Sequence, residues 1–118
     1  DKKTGGWFMV VDKGDNPLNF VDPSGTAMFV YSIQRGVELG LLKAKEYTPV
    51  TYRGYQSLFP FIQVNDRGLL DVIGACDGVV IKKNFVEYVT VPKILNAKEA
   101  VAGILWAAVI METEQLKK

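Results

Sequence analysis

The stretch Ala100–Met111 reads Ala-Val-Ala-Gly-Ile-Leu-Trp-Ala-Ala-Val-Ile-Met and carries no charged or amide side chain. A surface helix keeps a polar face, whereas a helix that is apolar on every side must be enclosed by other structure. The run is well short of the ~20 apolar residues that a membrane-spanning helix needs. A chain of 118 residues has few other helices that could enclose it. The stretch therefore predicts a piece of a larger helical assembly.

A second helix of the same kind is predicted nearer the start of the sequence. Asp22 supplies a side-chain oxygen able to cap a helix, and Pro23 follows at a position that proline favours. This helix is expected over Ser24–Leu39, apolar on every side in its first half, with Gly40 as a left-handed C-cap. A more exposed helix is expected over Pro49–Phe59. Two enclosed helices joined through an exposed one predict concentric layers of helical hairpins.

Residues 62–91 change character and predict short β-hairpins and loops inserted between the helices. Turn-forming residues flank brief apolar runs there, and Glu87–Val91 alternates in polarity as a strand does. Asn96 is then expected to cap the last helix, with Glu99 completing a capping-box pattern. We expect this helix, over Ala97–Glu112, to form the inner layer together with the first. The fold class is therefore mainly α.

Charge and composition narrow the possible partners. The net charge is +1, so no global field attracts nucleic acid or anionic lipid. The last lysine pair, Lys117-Lys118, suits the negative end of the closing helix dipole. Neither a signal peptide nor a membrane-spanning segment is visible in the sequence. We therefore expect no nucleic-acid partner and no membrane partner.

The sequence contains no histidine and one cysteine, Cys76. The absence of histidine excludes Ser-His-Asp and Cys-His nucleophilic schemes and removes the commonest zinc ligand. A single cysteine cannot complete a structural zinc site or form an internal disulfide, and it leaves the cellular compartment open. The expected role of Cys76 is that of a small apolar filler.

Several blocks, in a fixed order and spacing, resemble a known family. Thr4–Lys13, Asp22–Tyr31 and Arg35–Gly40 resemble the unsaturated glucuronyl and galacturonyl hydrolases, which include the unsaturated rhamnogalacturonyl hydrolases, of the glycoside hydrolase family 88/105 type. Asn96–Glu112 continues the resemblance in the same order. The resemblance covers nearly the whole chain, which is similar to the C-terminal third of such a domain.

The resemblance implies a fold and an activity for the complete domain. The fold is an (α/α)6 barrel, and the substrate is an oligosaccharide that a polysaccharide lyase has left with a terminal unsaturated uronic acid. An aspartate protonates the enol-ether double bond, water adds, and the resulting hemiketal breaks apart, which differs from two-carboxylate glycoside hydrolysis. No metal or organic cofactor is implied.

The resemblance implies substrate contacts but no catalytic residue in this chain. The family's acid/base aspartate belongs to the N-terminal half of the domain, so the chain alone is expected to be inactive. Ser24, Thr26 and Trp7 are the candidate substrate-binding residues. A helix N-terminus at Ser24 and Thr26 suits a uronate carboxylate or a sulfate. The alternatives are purely structural: a helix cap for Ser24 and Thr26, and a core or hairpin aromatic for Trp7.

Departures from the family pattern leave the sugar specificity open. Relatives often start the last helix with Asn-Asp-Pro-Lys-Gly, where this sequence has Asn96–Ala100, and Asn84–Val89 differs as well. A rival hypothesis is a non-catalytic helical module that binds a carbohydrate or a protein through Trp7 and Tyr88. Trp106 is expected in the core. The apolar helices further predict a homo-oligomer, or pairing with the missing half of the barrel.

Overall fold

The computed structural model describes residues 1–117 and has a mainly helical architecture. Lys118, expected at the negative end of the last helix, lies outside the described residues. The elements, in chain order, are α1 (Pro23–Glu38), α2 (Ala44–Gln56), a 3-10 turn (Phe59–Phe61), β1 (Ile62–Val64), β2 (Leu70–Val72), β3 (Ala75–Cys76), α3 (Phe85–Val89), β4 (Lys93–Ile94) and α4 (Lys98–Leu116).

Helix α1 begins and ends where local chemistry predicts. The carboxylate of Asp22 accepts hydrogen bonds from the backbone N–H groups of Ser24 and Gly25, so Asp22 is the N-cap. The helix ends at Glu38, and Gly40 follows with φ of +73°, a conformation in which a side chain would be strained. The predicted bounds are confirmed to within one residue.

Helices α1 and α4 lie side by side and run in the same direction. Their first turns line one cleft, and their last turns are joined by Lys117 Nζ, which lies 3.4 Å from Glu38 Oε1. Gly103 allows close approach in between, since a Cβ at this position would lie 3.2 Å from the Cβ of Ala27. The two helices supply most of the buried apolar core: Ala27, Val30, Ala97, Ala100, Ile104, Ala107, Ile110 and Met111.

Helix α2 covers the outside of this pair. It starts at Ala44, five residues before the predicted start, and Pro49 lies inside it. Proline removes one backbone hydrogen bond, so tertiary packing has to hold the helix together. That packing includes the fully buried Thr51, whose hydroxyl lies 2.8 Å from Gln34 Oε1 on α1, and Tyr55 in the core.

The segment between α2 and α4 forms two small antiparallel strand pairs. β1 pairs with β2, with Ile62 opposite Val72, and β3 pairs with β4, with Ala75 opposite Ile94. The predicted β-hairpins at 62–91 are therefore confirmed in kind.

The predicted strand over Glu87–Val91 is wrong. Most of this run lies in the short helix α3, because Asn84 caps that helix by accepting a hydrogen bond from the N–H of Glu87 at 3.0 Å.

Asn96 does not cap α4, which corrects the prediction from sequence. Its backbone is left-handed, with φ of +54°, and its side chain points back to the β1–β2 hairpin. Oδ1 accepts a hydrogen bond from the N–H of Val72 at 2.7 Å, and Nδ2 donates to Asp71 Oδ1 at 2.9 Å. Ala97 takes the N-cap position of α4 and makes no side-chain hydrogen bond. Asn96 thus ties the hairpin to the start of the helix.

Helix α4 is enclosed on one side only. Its inner side packs on α1, whereas the opposite side leaves apolar side chains in solvent. Trp106, expected in the core, is 58% exposed and meets Tyr31 edge to face at a ring-centroid distance of 4.9 Å. That expectation is wrong for residues 1–117, because nothing in this part of the chain covers the outer side. No helix within these residues is both long and apolar enough to span a membrane.

Candidate functional site

The candidate site is a cleft at the end of the fold where α1 and α4 both begin. Its volume is about 370 Å³. One wall comes from the first turns of the two helices, and the other comes from the loops around β3 and α3. Its lining residues are Met9, Asp22, Ser24, Gly25, Met28, Cys76, Gly78, Val79, Tyr88 and Glu99. The two starts of the inner helices therefore share one cavity, as their predicted pairing requires.

Asp22 and Ser24 form a tightly bonded unit at the start of α1. The hydroxyl of Ser24 lies 2.9 Å from each carboxylate oxygen of Asp22, which also accepts the N–H groups of Ser24 and Gly25. The carboxylate therefore already occupies the anion-binding end of this helix. A uronate carboxylate at the same place would meet a fixed negative charge. The geometry instead leaves Ser24 as a neutral polar group beside the cleft.

Thr26 and Trp7 belong to a neighbouring structural unit. Thr26 is fully buried, and its Oγ1 accepts the backbone N–H of Trp7 at 2.9 Å. The indole of Trp7 packs on Phe29 at 5.2 Å between ring centroids and borders a second cavity that contains Arg53. The structure thus brings Ser24 to the cleft, buries Thr26 behind it, and places Trp7 at another cavity.

Tyr88 and Trp7, the two aromatics of the rival binding-module hypothesis, do not share a surface. Tyr88 lines the cleft and accepts the backbone N–H of Lys82 at 3.1 Å, whereas Trp7 lines the second cavity. Within residues 1–117 they therefore do not form one platform on which a sugar could stack.

Glu99 lines the cleft, although its position in the sequence does not indicate that it does. The capping-box pattern predicts that its side chain turns back to Asn96, but none of the hydrogen bonds within residues 1–117 joins the two. Instead, Glu99 Oε2 is buried without a hydrogen-bond partner, and Oε1 lies 3.7 Å from the position that a Cβ on Gly78 would take. Buried polar atoms are normally paired, so an unpaired carboxylate oxygen beside the cleft is an unusual feature of this fold. Glu99 lines the cavity because the loop at Gly78 folds back opposite it, and the placement of this loop depends on tertiary structure.

Cys76 lines the cleft as a buried thiol. Burial, and next the charge of Asp22, raise its pKa, while Lys93 acts in the opposite direction. Its Sγ lies 3.5 Å from the carbonyl oxygen of Val91. A raised pKa keeps the group protonated and weakly nucleophilic at neutral pH. Burial agrees with the expected role as a small filler.

Comparison with known proteins identifies the class of this fold and site. Residues 1–115 match the family model described as Glycosyl Hydrolase Family 88. The chain belongs to this family of glycoside hydrolases, and the resemblance read from its sequence is confirmed.

A solved structure of a longer protein contains a region with the same fold as this chain. The chain matches a structure described as "Structural Analysis of C. acetobutylicum ATCC 824 Glycoside Hydrolase From Family 105" with a TM-score of 0.86 and 26% sequence identity. The match covers 96% of this chain and 33% of that chain. The chain thus has the fold of part of an (α/α)6 barrel and spans about a third of the length of the matched protein.

Proposed function

We propose that the chain is part of a hydrolase that acts on oligosaccharides ending in an unsaturated uronic acid, the products of polysaccharide lyases. The proposed reaction is hydration of the enol-ether double bond: a carboxylic acid protonates one carbon, water adds to the other, and the hemiketal releases the remaining sugar. The main support is that a chain of family 88 opens a cleft at the shared start of its two apolar helices, and that Ser24 and Glu99 are among its lining residues.

We assign none of the acid/base chemistry to this chain, and we propose that the chain alone does not turn over substrate. Asp22 lines the cleft, but its carboxylate is held by two backbone N–H groups and by the hydroxyl of Ser24. These bonds tie the carboxylate into the cap of the helix. The chain instead supplies a wall of the substrate site.

Ser24 is the proposed sugar contact in this wall, and Glu99 adds an acceptor. Ser24 and Glu99 both line one cavity of about 370 Å³, a volume within the range of small-molecule sites. Thr26 has a positioning role, since it holds the backbone of Trp7 rather than facing the cleft. Trp7 remains a proposed contact from the second cavity.

The test compares the chain alone with a chimera in which it replaces the matched third of the C. acetobutylicum protein. Hydrolysis of an unsaturated uronyl disaccharide is followed by loss of the ultraviolet absorbance of the conjugated double bond. We expect turnover by the chimera and none by the chain alone. Turnover by the chain alone, or none by a folded chimera, would contradict the proposal.

A matched pair of serine substitutions tests the proposed contact. Ser24→Ala removes one hydrogen bond to the sugar and should lower kcat/KM of the chimera about tenfold. Ser32→Ala, on the same helix but exposed and outside the cleft lining, should change nothing. Thermal unfolding of both variants separates a lost contact from a weakened helix start. Equal kinetics for the two variants would remove Ser24 from the site.

A further inference from the structure

The lining of the cleft carries negative charge and no positive charge. Asp22 and Glu99 are among its lining residues, and within residues 1–117 no lysine or arginine lines it. The nearby Lys93 is not part of the lining, and its Nζ lies over the ring of Phe20, 3.9 Å from the ring centroid. An anionic group in the cleft would therefore meet two carboxylates and no cation of the lining.

The two helix starts at the cleft are already supplied with negative charge. A helix N-terminus normally attracts anions, and two of them meet here. At α1, the carboxylate of Asp22 accepts the backbone N–H groups of Ser24 and Gly25. At α4, Glu99 lies in the first turn, where a carboxylate balances the positive end of the helix dipole. Neither helix end is therefore left free for an anionic ligand.

The two carboxylates differ in how far local bonds compensate their charge. Asp22 is bonded to two backbone N–H groups and to the hydroxyl of Ser24. Glu99 forms no ion pair within residues 1–117, and its Oε2 is buried without a hydrogen-bond partner. Partly buried charges are screened less than exposed ones. A ligand in the cleft is therefore affected most by the charge of Glu99.

We propose that Glu99 is a specificity-determining residue that keeps carboxylates and other anionic groups away from this wall of the cleft. The sugar that lies against the wall is then a neutral one, which binds through its hydroxyl groups. This inference rests on the proposed function, in which the cleft holds part of an oligosaccharide. It deepens that function by stating which sugars the wall accepts.

The wall retains a polar atom that suits a neutral sugar. Ser24 Oγ lies 2.9 Å from each carboxylate oxygen of Asp22, to which it donates its own proton. The hydroxyl oxygen can still accept a hydrogen bond from a sugar hydroxyl. By the same argument, the carboxylate of the unsaturated uronyl residue has to be bound by groups other than the lining residues of this cleft.

A pair of substrates that differ in one charge tests the proposal in the chimera described above. The pair is an unsaturated uronyl disaccharide whose second sugar is galacturonic acid, with the carboxylate of this second sugar either free or methyl-esterified. In the unsubstituted chimera we expect kcat/KM for the ester to exceed that for the free acid about tenfold, the effect of one like charge in a partly open cleft. Added salt should reduce this ratio, because screening weakens the repulsion.

Substitutions of Glu99 should change the ratio of the two kcat/KM values. Glu99→Gln keeps the shape of the side chain and removes its charge, so the ratio should fall about tenfold, to near parity. Glu99→Lys should reverse the preference. Glu46→Gln, at an exposed position on α2 outside the cleft lining, is the matched control and should leave the ratio unchanged. A merely structural role of Glu99 would lower kcat/KM for both substrates equally, and an unchanged ratio in Glu99→Gln overturns the proposal.

Binding to the chain alone separates this inference from the proposed function. Galacturonic acid and its methyl ester are titrated into the chain, and the NMR shifts of the backbone amides of Ser24 and Gly25 in the cleft are followed. We expect the ester to bind about tenfold more tightly than the acid to the wild type, and equally to Glu99→Gln. Equal affinities in the wild type, or no binding of the ester, overturn the proposal. If a folded chimera hydrolyses neither substrate while the chain keeps this preference, the proposed hydrolysis fails and the assignment of Glu99 stands.

Discussion

Tyr55 shows how one side chain links two helices and responds to pH. It is 7% exposed, and its hydroxyl donates to Glu112 Oε1 at 2.8 Å. Burial, and then Glu112, raise the pKa of Tyr55 to about 12, above the usual value of about 10. The raised pKa means that the folded state favours the neutral phenol. The stability that this preference contributes is complete below pH 10 and is lost as the pH rises through about 12.

Tyr55→Phe tests this link. We expect the free energy of unfolding at neutral pH to fall by about 1.5 kcal/mol, the low end of the range for a hydrogen bond to a charged acceptor. We also expect a smaller loss of stability between pH 10 and about 12 than in the wild type. Urea unfolding followed across this range checks both effects. Tyr52→Phe, at an exposed position on the same helix, is the control. An unchanged alkaline limb in Tyr55→Phe would contradict the pKa assignment.

Asn96 is the residue at which side-chain bonding and backbone conformation act together. Asn96→Ala removes the bonds to Val72 and Asp71, and it replaces asparagine, which tolerates the left-handed φ of +54°, by alanine, which disfavours it. We expect a loss of about 2 kcal/mol, about half from each source. Asn96→Gly keeps access to the left-handed conformation and should lose about 1 kcal/mol. Thermal unfolding of the two variants checks the order, and equal losses would show that the backbone conformation contributes nothing.

At the scale of the elements, two helix glycines differ in the space around them. A Cβ on Gly54 of α2 would lie 2.8 Å from Val30 Cγ2 and 2.9 Å from the Trp7 ring, both in packed surroundings. A Cβ on Gly103 of α4 would lie 3.2 Å from Ala27 and otherwise meet ordinary contacts. Replacing each glycine by alanine therefore compares the cost of crowding at that position with the gain in helix propensity.

Gly54→Ala should destabilise the fold and Gly103→Ala should not. Overpacking costs about 1–3 kcal/mol, whereas replacing a helical glycine by alanine returns about 1 kcal/mol. We expect a net loss of about 1–2 kcal/mol for Gly54→Ala and a change within about 1 kcal/mol of zero for Gly103→Ala, because the 3.2 Å contact with Ala27 offsets the gain in helix propensity. Urea unfolding measures both. Stabilisation by both variants would mean that α2 moves freely over Val30 and Trp7.

Elements whose boundaries depend on local chemistry could be predicted from the sequence. The bounds of α1 follow from Asp22 and Gly40, and α4 follows from its long apolar run. The start of α2, the short helix α3 and the role of Asn96 could not be predicted, because each depends on a partner distant in sequence or on competition between a cap and an alternating pattern. The residues of the candidate site also differ in whether the sequence could predict them. Ser24 was found from the helix start, whereas Glu99 faces the cleft only because the loop at Gly78 returns to it.

At the scale of the whole molecule, the chain is a slab of 41 × 39 × 24 Å. A thickness of 24 Å corresponds to about two helix layers of 10–12 Å each. In this slab α1 and α4 are covered by α2 on one side and open on the other. The fold therefore combines a firmly packed helical core with a segment, residues 62–95, that rests on it through Asn96 and through the buried side chains of Val72 and Ala75.

This arrangement predicts uneven stability across the molecule. Two-stranded pairs are marginal in water by themselves, and β1 and β2 leave half of their side chains exposed. Amides of residues 62–72 and 78–90 should therefore exchange hydrogen through local opening, about tenfold or more faster than those of Val30 on α1 and Ala107 on α4, which exchange with global unfolding. Hydrogen exchange read by mass spectrometry on the chain measures both classes. Equal protection of both groups of amides in the isolated chain would contradict this prediction. It would mean that the strand pairs and the helices unfold as one unit, held together by the hydrogen bonds of Asn96.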